Sequence, residues 1–313
     1  MRNCRIWKKS SKIKEPLWEP SSLIDDGFDP SFEEELPITA ELIDVMLTHK
    51  STPKLYLLGE DGHTPTTTNI PFVPEVRIRV DAEATRPDRD VDFEPQRLAL
   101  HEIFAAYPNL ESLSVSVNRL VGGCVLDMSP PCTQILPLSL HEKATIPPLQ
   151  RLSLSGYKIQ KNERSTWKTR FPWNKLKSLS LGVQDNYNVL EVATGKVHDL
   201  REFVITGYCF SWSEPNSPRG LENFLSSFNS LESLIAKGPV PPISSVIHHS
   251  NLKHLCLHAI EKPNKERTTL SVREIKSLDR NLPMLSSLEI DLDPKNTWVS
   301  IENDHSMWDL ANF

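Results

Sequence analysis

What the 313-residue chain lacks narrows the field first. It has no apolar run of about 18 residues, the length that crosses a bilayer, so no membrane span is expected. The N-terminus, MRNCRIWKKSSKIK, has no apolar core of the kind a secretory signal needs. No Asn-x-Ser/Thr acceptor occurs, in keeping with a chain that does not meet the secretory pathway. Cysteine is scarce: Cys4, Cys124, Cys132, Cys209 and Cys256 are odd in number and widely spaced, which is neither a disulfide framework nor a zinc-finger pattern. A reducing compartment, cytoplasmic or nuclear, is the resulting expectation. Enzyme signatures are missing too. There is no Gly-rich phosphate loop, G-x-S-x-G, H-E-x-x-H or C-x-x-C. The net charge of −6 argues against nucleic acid as the main partner.

What is present is a phrase that returns. In QRLALHEIFAAYPNLESLSVSVNRL, Leu100, Ile103, Phe104 and Tyr107 recur at i, i+3, i+4 and i+7, one apolar face of a helix that Pro108 stops. Leu110-x-x-Leu113-x-Val115-x-x-Asn118-x-Leu120 follows, with Leu113 and Val115 alternating against Ser112, Ser114 and Ser116 as a strand with one buried face requires. Leu221, Phe224, Leu225 and Phe228 before Leu231/Leu234/Ala236 repeat the same offset. Further copies are Leu149/Leu152/Leu154, Leu176/Leu179/Leu181, Leu200/Phe203/Ile205, Leu252/Leu255/Leu257 and Leu285/Leu288/Ile290. Two of these keep a helical lead-in, Leu190/Ala193/Val197 and Ile275/Leu278/Leu282. Seven phrases in series match the pattern L-x-x-L-x-L of leucine-rich repeats. The expected fold is therefore α/β: a leucine-rich-repeat solenoid with a curved parallel inner sheet, helices and irregular loops on its outer face.

Three regions are expected. Residues 1–35 read as a poorly ordered leader, with a basic cluster (Arg2 to Lys14) before an acidic one (Asp25 to Glu35) and no apolar periodicity. Residues 36–300 read as the solenoid. It opens with a short helix from Thr39 through Leu47 and strands at Lys54–Leu58 and Val73–Val80 as an irregular first end. Asp81–Glu94, Val121–Pro148 and Ser211–Gly220 read as loops, the second with an extra strand around Ile135–Leu140. Residues 301–313 read as a capping tail in which Met307, Trp308 and Leu310 cover the last edge. The scattered tryptophans are expected to pack rather than to form a recognition stripe.

In such a fold the positions beside the last two leucines point to the concave surface. The early rungs (Ser112/Ser114/Ser116, Arg151/Ser153/Ser155, Ser178/Ser180/Gly182) are small, and the later ones carry charge. Arg151, Glu202, Lys237, His254, His258, Glu289 and Asp291 are the candidate partner-binding residues. His254, Cys256 and His258 stand at i, i+2 and i+4, on one face at about 6.6 Å spacing. Imidazole and thiolate suit zinc or a Cys/His nucleophile, so an enzyme dependent on metal or thiol is the alternative. A polar rung on a binding surface is the reading adopted, with no catalysis and no cofactor.

The phrases Ala106–Leu113 (AYPNLESL), Phe228–Leu234 (FNSLESL) and Leu282–Leu288 (LPMLSSL) resemble the leucine-rich-repeat portion of fungal F-box-like proteins. The segment Ala40 to Leu58, a helix followed by P-K-L-Y-L, looks like the entry to that array. The resemblance implies a non-catalytic protein-interaction module, in that family the substrate receptor of a cullin-based ubiquitin ligase. A protein substrate is the implied partner. The ligase adaptor and cullin are implied as well if an F-box stands upstream. The F-box itself begins L-P-x-E-L; here Leu36-Pro37 is followed by Ile38-Thr39-Ala40-Glu41-Leu42 at another spacing, and the F-box is not evident.

Overall fold

The computed structural model describes residues 4–6, 54–59, 73–83, 100–120, 145–155, 159, 163–182, 187–207, 217–238, 240–259 and 269–291. Among the described residues there are ten strands, β1 (Cys4–Ile6), β2 (Lys54–Gly59), β3 (Glu75–Glu83), β4 (Ser112–Leu120), β5 (Arg151–Ser155), β6 (Ser178–Leu181), β7 (Glu202–Thr206), β8 (Ser233–Gly238), β9 (His254–Ala259) and β10 (Ser287–Ile290). They form one open sheet in chain order. β1 lies antiparallel on β2, and every later pair is parallel. Between strands run α1 (Leu100–Ala106), α2 (Arg164–Arg170), a 3₁₀ turn (Trp173–Lys175), α3 (Tyr187–Ala193), α4 (Ser217–Leu225), α5 (Ile243–Val246) and α6 (Val272–Asn281). The class is α/β with alternating strands and helices. Among the described residues no helix is long and apolar enough to cross a membrane.

The register follows from the repeated phrase. The first strand leucine aligns across eight strands as Val76, Leu113, Leu152, Leu179, Phe203, Leu234, Leu255 and Leu288. The second aligns as Ile78, Val115, Leu154, Leu181, Ile205, Ala236, Leu257 and Ile290. Because strand side chains alternate, both rows point to one side of the sheet. From β3 to β9 they are buried, and the leading leucines Leu110, Leu149, Leu176, Leu200, Leu231 and Leu252 are wholly so.

One residue before each strand from β4 to β9 the backbone repeats a second device. The Glu111 carbonyl accepts from both Gln150 N–H (2.8 Å) and Arg151 N–H (2.9 Å). The Gln150 carbonyl then accepts from Lys177 and Ser178, the Lys177 carbonyl from Arg201 and Glu202, and the Arg201 carbonyl from Glu232 and Ser233. Glu232 and Lys253 continue this as far as Ser286 and Ser287. Each carbonyl uses both lone pairs on the next turn of chain, which fixes where the following strand begins.

The helices pack on the leucine side, and from α2 to α6 each touches the next. Phe224 of α4 meets Phe203 of β7 at 5.1 Å between ring centroids and Phe228 at 5.2 Å. Trp167, Phe171 and Trp173 make a second aromatic group, with the Trp173 indole N–H donating to the Trp167 carbonyl at 2.7 Å. Both described tryptophans are thus packing residues, as expected. The α3 chain turns out at Gly195, whose φ of +70° is the left-handed conformation that favours glycine after a helix. α6 starts with a capping box between Ser271 and Glu274.

The expected lead-in helices are present as α1, α3, α4 and α6. Boundaries differ where local punctuation misleads. The loop expected to run to Gly220 is already helical from Ser217, since Pro218 is compatible with a first helical turn. The loop expected from Asp81 starts later, because Asp81, Ala82 and Glu83 pair with Asn118, Arg119 and Leu120. Within the leader, Cys4–Ile6 pairs with Leu55–Leu57 as an edge strand. The Thr39–Leu47 helix, the Ile135–Leu140 strand and the tail at 301–313 lie outside the described residues.

Phe224→Ala should lower unfolding free energy by about 3–5 kcal/mol in urea titration, because the ring is wholly buried between two others. Met284→Ala, at a side chain 54% exposed, should change it by less than about 0.5 kcal/mol. Equal effects would show that the α4 face is not core.

His249 gives a second expectation. It is fully buried against Phe228, with ring centroids 5.1 Å apart. Burial pushes its pKa down to about 4 and His248 adds to the depression, and neither ring nitrogen has a hydrogen-bond partner among the described residues. The unfolded chain takes up this proton near pH 6.5 and the folded chain only near 4, so folding stability falls as pH drops through that window. The loss on this account is on the order of 3 kcal/mol. His249→Leu should flatten the slope of stability against pH between those values; an unchanged slope would assign it to other groups.

Candidate functional site

The other side of the sheet carries the polar positions in three rows. The first runs Glu75, Ser112, Arg151, Ser178, Glu202, Ser233, His254 and Ser287. The second runs Arg77, Ser114, Ser153, Ser180, Val204, Ile235, Cys256 and Glu289. The third pairs Arg79, Ser116 and Ser155 at one end and Thr206, Lys237 and His258 at the other. Between them sits Gly182, where a Cβ would lie 2.6 Å from Ser155 Oγ and 2.8 Å from its Cβ. Only glycine allows this close approach of β5 to the chain after β6.

All seven expected residues lie on or directly after these rows, but they form no single site. Arg151, Glu202 and His254 are exposed and separated along the first row. Lys237 and His258 are register partners. Glu289 and Asp291 join His258. The His258 Nδ1 lies 3.0 Å from Asp291 Oδ1, and its Nε2 lies 2.7 Å from Glu289 Oε1. The Ala259 backbone N–H donates to Asp291 Oδ2 at 2.8 Å, which holds that carboxylate in place.

The ring of His258 thus has a carboxylate at each nitrogen. Its pKa is raised, first by the Asp291 hydrogen bond and then, against some burial, by Glu289. Glu289 is correspondingly held below the usual carboxylate range, chiefly by His258. Cys256, the register partner of Glu289, is pushed up to about 12 by burial and by the hydrogen bond to that carboxylate. A thiol so raised is protonated at neutral pH and a poor nucleophile. The ligand atoms of Cys256, His258 and Glu289 lie within 4.8 Å of one another. His254 is not among them; it stands on the first row between Ser233 and Ser287. The His254/Cys256/His258 grouping is therefore corrected to Cys256, His258, Glu289 and Asp291. Neighbouring strands are about 4.8 Å apart, whereas i and i+2 on one strand are about 6.6 Å apart, so a cross-strand partner comes closer than a second strand neighbour.

A further charged row was missed. Glu111, Gln150, Lys177, Arg201, Glu232 and Lys253 stand one residue before the strands, on the rungs whose carbonyls accept twice. Lys253 Nζ meets Glu232 Oε2 at 2.7 Å and Arg201 reaches Glu232 at 3.5 Å. The Lys253 bond holds Glu232 below its ordinary pKa. With Arg151, Ser178 and Glu202, the earlier members line a shallow depression. The signal was present in the first x of each L-x-x-L, which is charged in Leu110-Glu111, Leu176-Lys177, Leu200-Arg201, Leu231-Glu232 and Leu252-Lys253.

Neither a protein-family profile nor a curated protein matches the chain.

Removing the Asp291 carboxylate should loosen the end of the sheet. Asp291→Ala leaves the Ala259 N–H without its acceptor, at a cost on the order of 1–3 kcal/mol if no water replaces it. Amide exchange at Ala259 and in β10 should quicken roughly tenfold or more, while exchange in β5 and β6 stays unchanged. Uniform exchange across the sheet would deny the local role.

Proposed function

We propose that the chain is a leucine-rich-repeat solenoid that binds a protein partner on the serine- and charge-bearing side of its sheet and carries out no chemistry of its own. The observation that carries this reading is the in-register polar face opposite a leucine face that the helices cover. Serine rows at β4 to β6 let a partner approach the sheet closely. Arg151 and Glu202, with the Lys177 and Arg201 rungs beside them, supply charges that set its orientation. The raised Cys256 thiol speaks against thiol catalysis. By resemblance to fungal F-box-like proteins, the bound protein is a substrate presented for ubiquitin ligation, in the cytoplasm or nucleus.

A photo-crosslinking amino acid at Ser178 should capture a discrete partner in cells, and one at exposed Lys168 on α2 should not. Arg151→Glu with Glu202→Lys should abolish the Ser178 adduct. Capture at Lys168 alone would move the interface to the helix side. Co-purification of the ligase adaptor and a cullin supports the receptor reading; their absence beside another specific partner leaves a plain binding module.

A further inference from the structure

We propose that Cys256, His258 and Glu289 bind zinc(II), with Asp291 as the residue that orients the histidine. The proposal goes beyond the binding reading and does not depend on it. Three donors of different softness converge from two adjacent strands: a thiol sulfur, an imidazole nitrogen and a carboxylate oxygen, all within 4.8 Å of one another. Thiolate with imidazole selects zinc over magnesium or calcium, and a carboxylate completes a three-residue set that zinc accepts. Cys256 and Glu289 face each other in register, and His258 follows two residues on, so strand geometry holds all three backbones.

The surroundings of His258 are those of a metal-binding histidine. Asp291 Oδ1 takes the Nδ1 hydrogen at 3.0 Å, and Asp291 is itself fixed by the Ala259 N–H at 2.8 Å. That bond leaves Nε2 directed at Glu289, 2.7 Å away, and a carboxylate behind the ring is the usual support for a zinc-bound imidazole. Zinc inserts between Nε2 and Glu289 Oε1, with the Cys256 thiol proton and any Nε2 proton released to solvent. Two carboxylates and a thiolate favour the cation, and Lys237, the register partner of His258, opposes it. The fourth tetrahedral position is left to water. The site also joins β10 to β9 where packing is thin, because Leu288 is 39% exposed.

The test uses the full chain, purified free of metal and titrated with cobalt(II), followed by zinc(II) displacement. About one equivalent of cobalt should give a thiolate-to-metal charge-transfer band that zinc removes. Cys256→Ser should lose the band, His258→Ala should lose tight binding, and Asp291→Asn should weaken it roughly 10- to 100-fold. His254→Ala should bind as the unsubstituted chain does. Far-ultraviolet circular dichroism checks folding of each variant; if Cys256→Ser does not fold, Glu289→Gln serves, with weakened affinity expected. No band in the unsubstituted chain, or the same band in Cys256→Ser, overturns the proposal. Either result leaves the Ser178 crosslink unaffected, so the two readings fail separately.

Discussion

The structure depends on one backbone arrangement: from β3 to β9, the carbonyl just before each strand accepts two N–H groups from the start of the next. Without that anchor the register would rest on side chains alone. A slip of one residue would bring Ser153 and Ser180 to the helix side and Leu152 and Leu179 to water. Burial of the leucine rows makes such a slip costly, and the double acceptance from Glu111 to Lys253 makes the correct start cheap to find. Polar backbone pairing and apolar burial thus favour the same alignment. The separation of a covered apolar face from an uncovered polar face follows from it.

The two faces were legible in the sequence because the pattern behind each repeats, whereas the doubly accepting carbonyls carry no letter of their own. Leu-x-x-Leu-x-Leu sets the buried rows, and the alternation of Ser112, Leu113, Ser114 and Val115 shows which residues share a side. What did not repeat was not legible. α2 buries only Thr166 and Trp167 among its residues, too few to make a period, and its contacts come from Phe171 and Trp173 after the helix. α5 is four residues long, and Pro242 before it reads equally well as a loop. Tertiary packing creates these elements, whereas α4 and α6 announce themselves through their own apolar faces.

The polar cluster shows a similar division. Strand alternation placed His258, Glu289 and Asp291 on one surface, and that placement holds. The choice of His254 as the third member counted neighbours along a strand. Across strands the distance is shorter, and the decisive fixings, the Asp291 bonds to the His258 ring and to the Ala259 N–H, come from the residue just past β10. Alternation put Asp291 on the right surface but carried no information on which partners its carboxylate takes. The charged row from Glu111 to Lys253 was visible letter by letter, yet only the double-acceptance geometry shows why those side chains line one edge.

A sheet with nearest-neighbour contacts alone treats its interior and final strands differently. β6 is paired on both sides and its leucines are wholly buried, so its serines are held rigidly. β10 has one described neighbour, and Leu288 on its helix side is 39% exposed. Polar contacts must therefore hold it, and there the chain places His258 between two carboxylates rather than another serine. Interior rungs can remain small and plain because packing positions them. At β10, where the described packing is thinner, the polar contacts of His258, Glu289 and Asp291 tie the strand to β9.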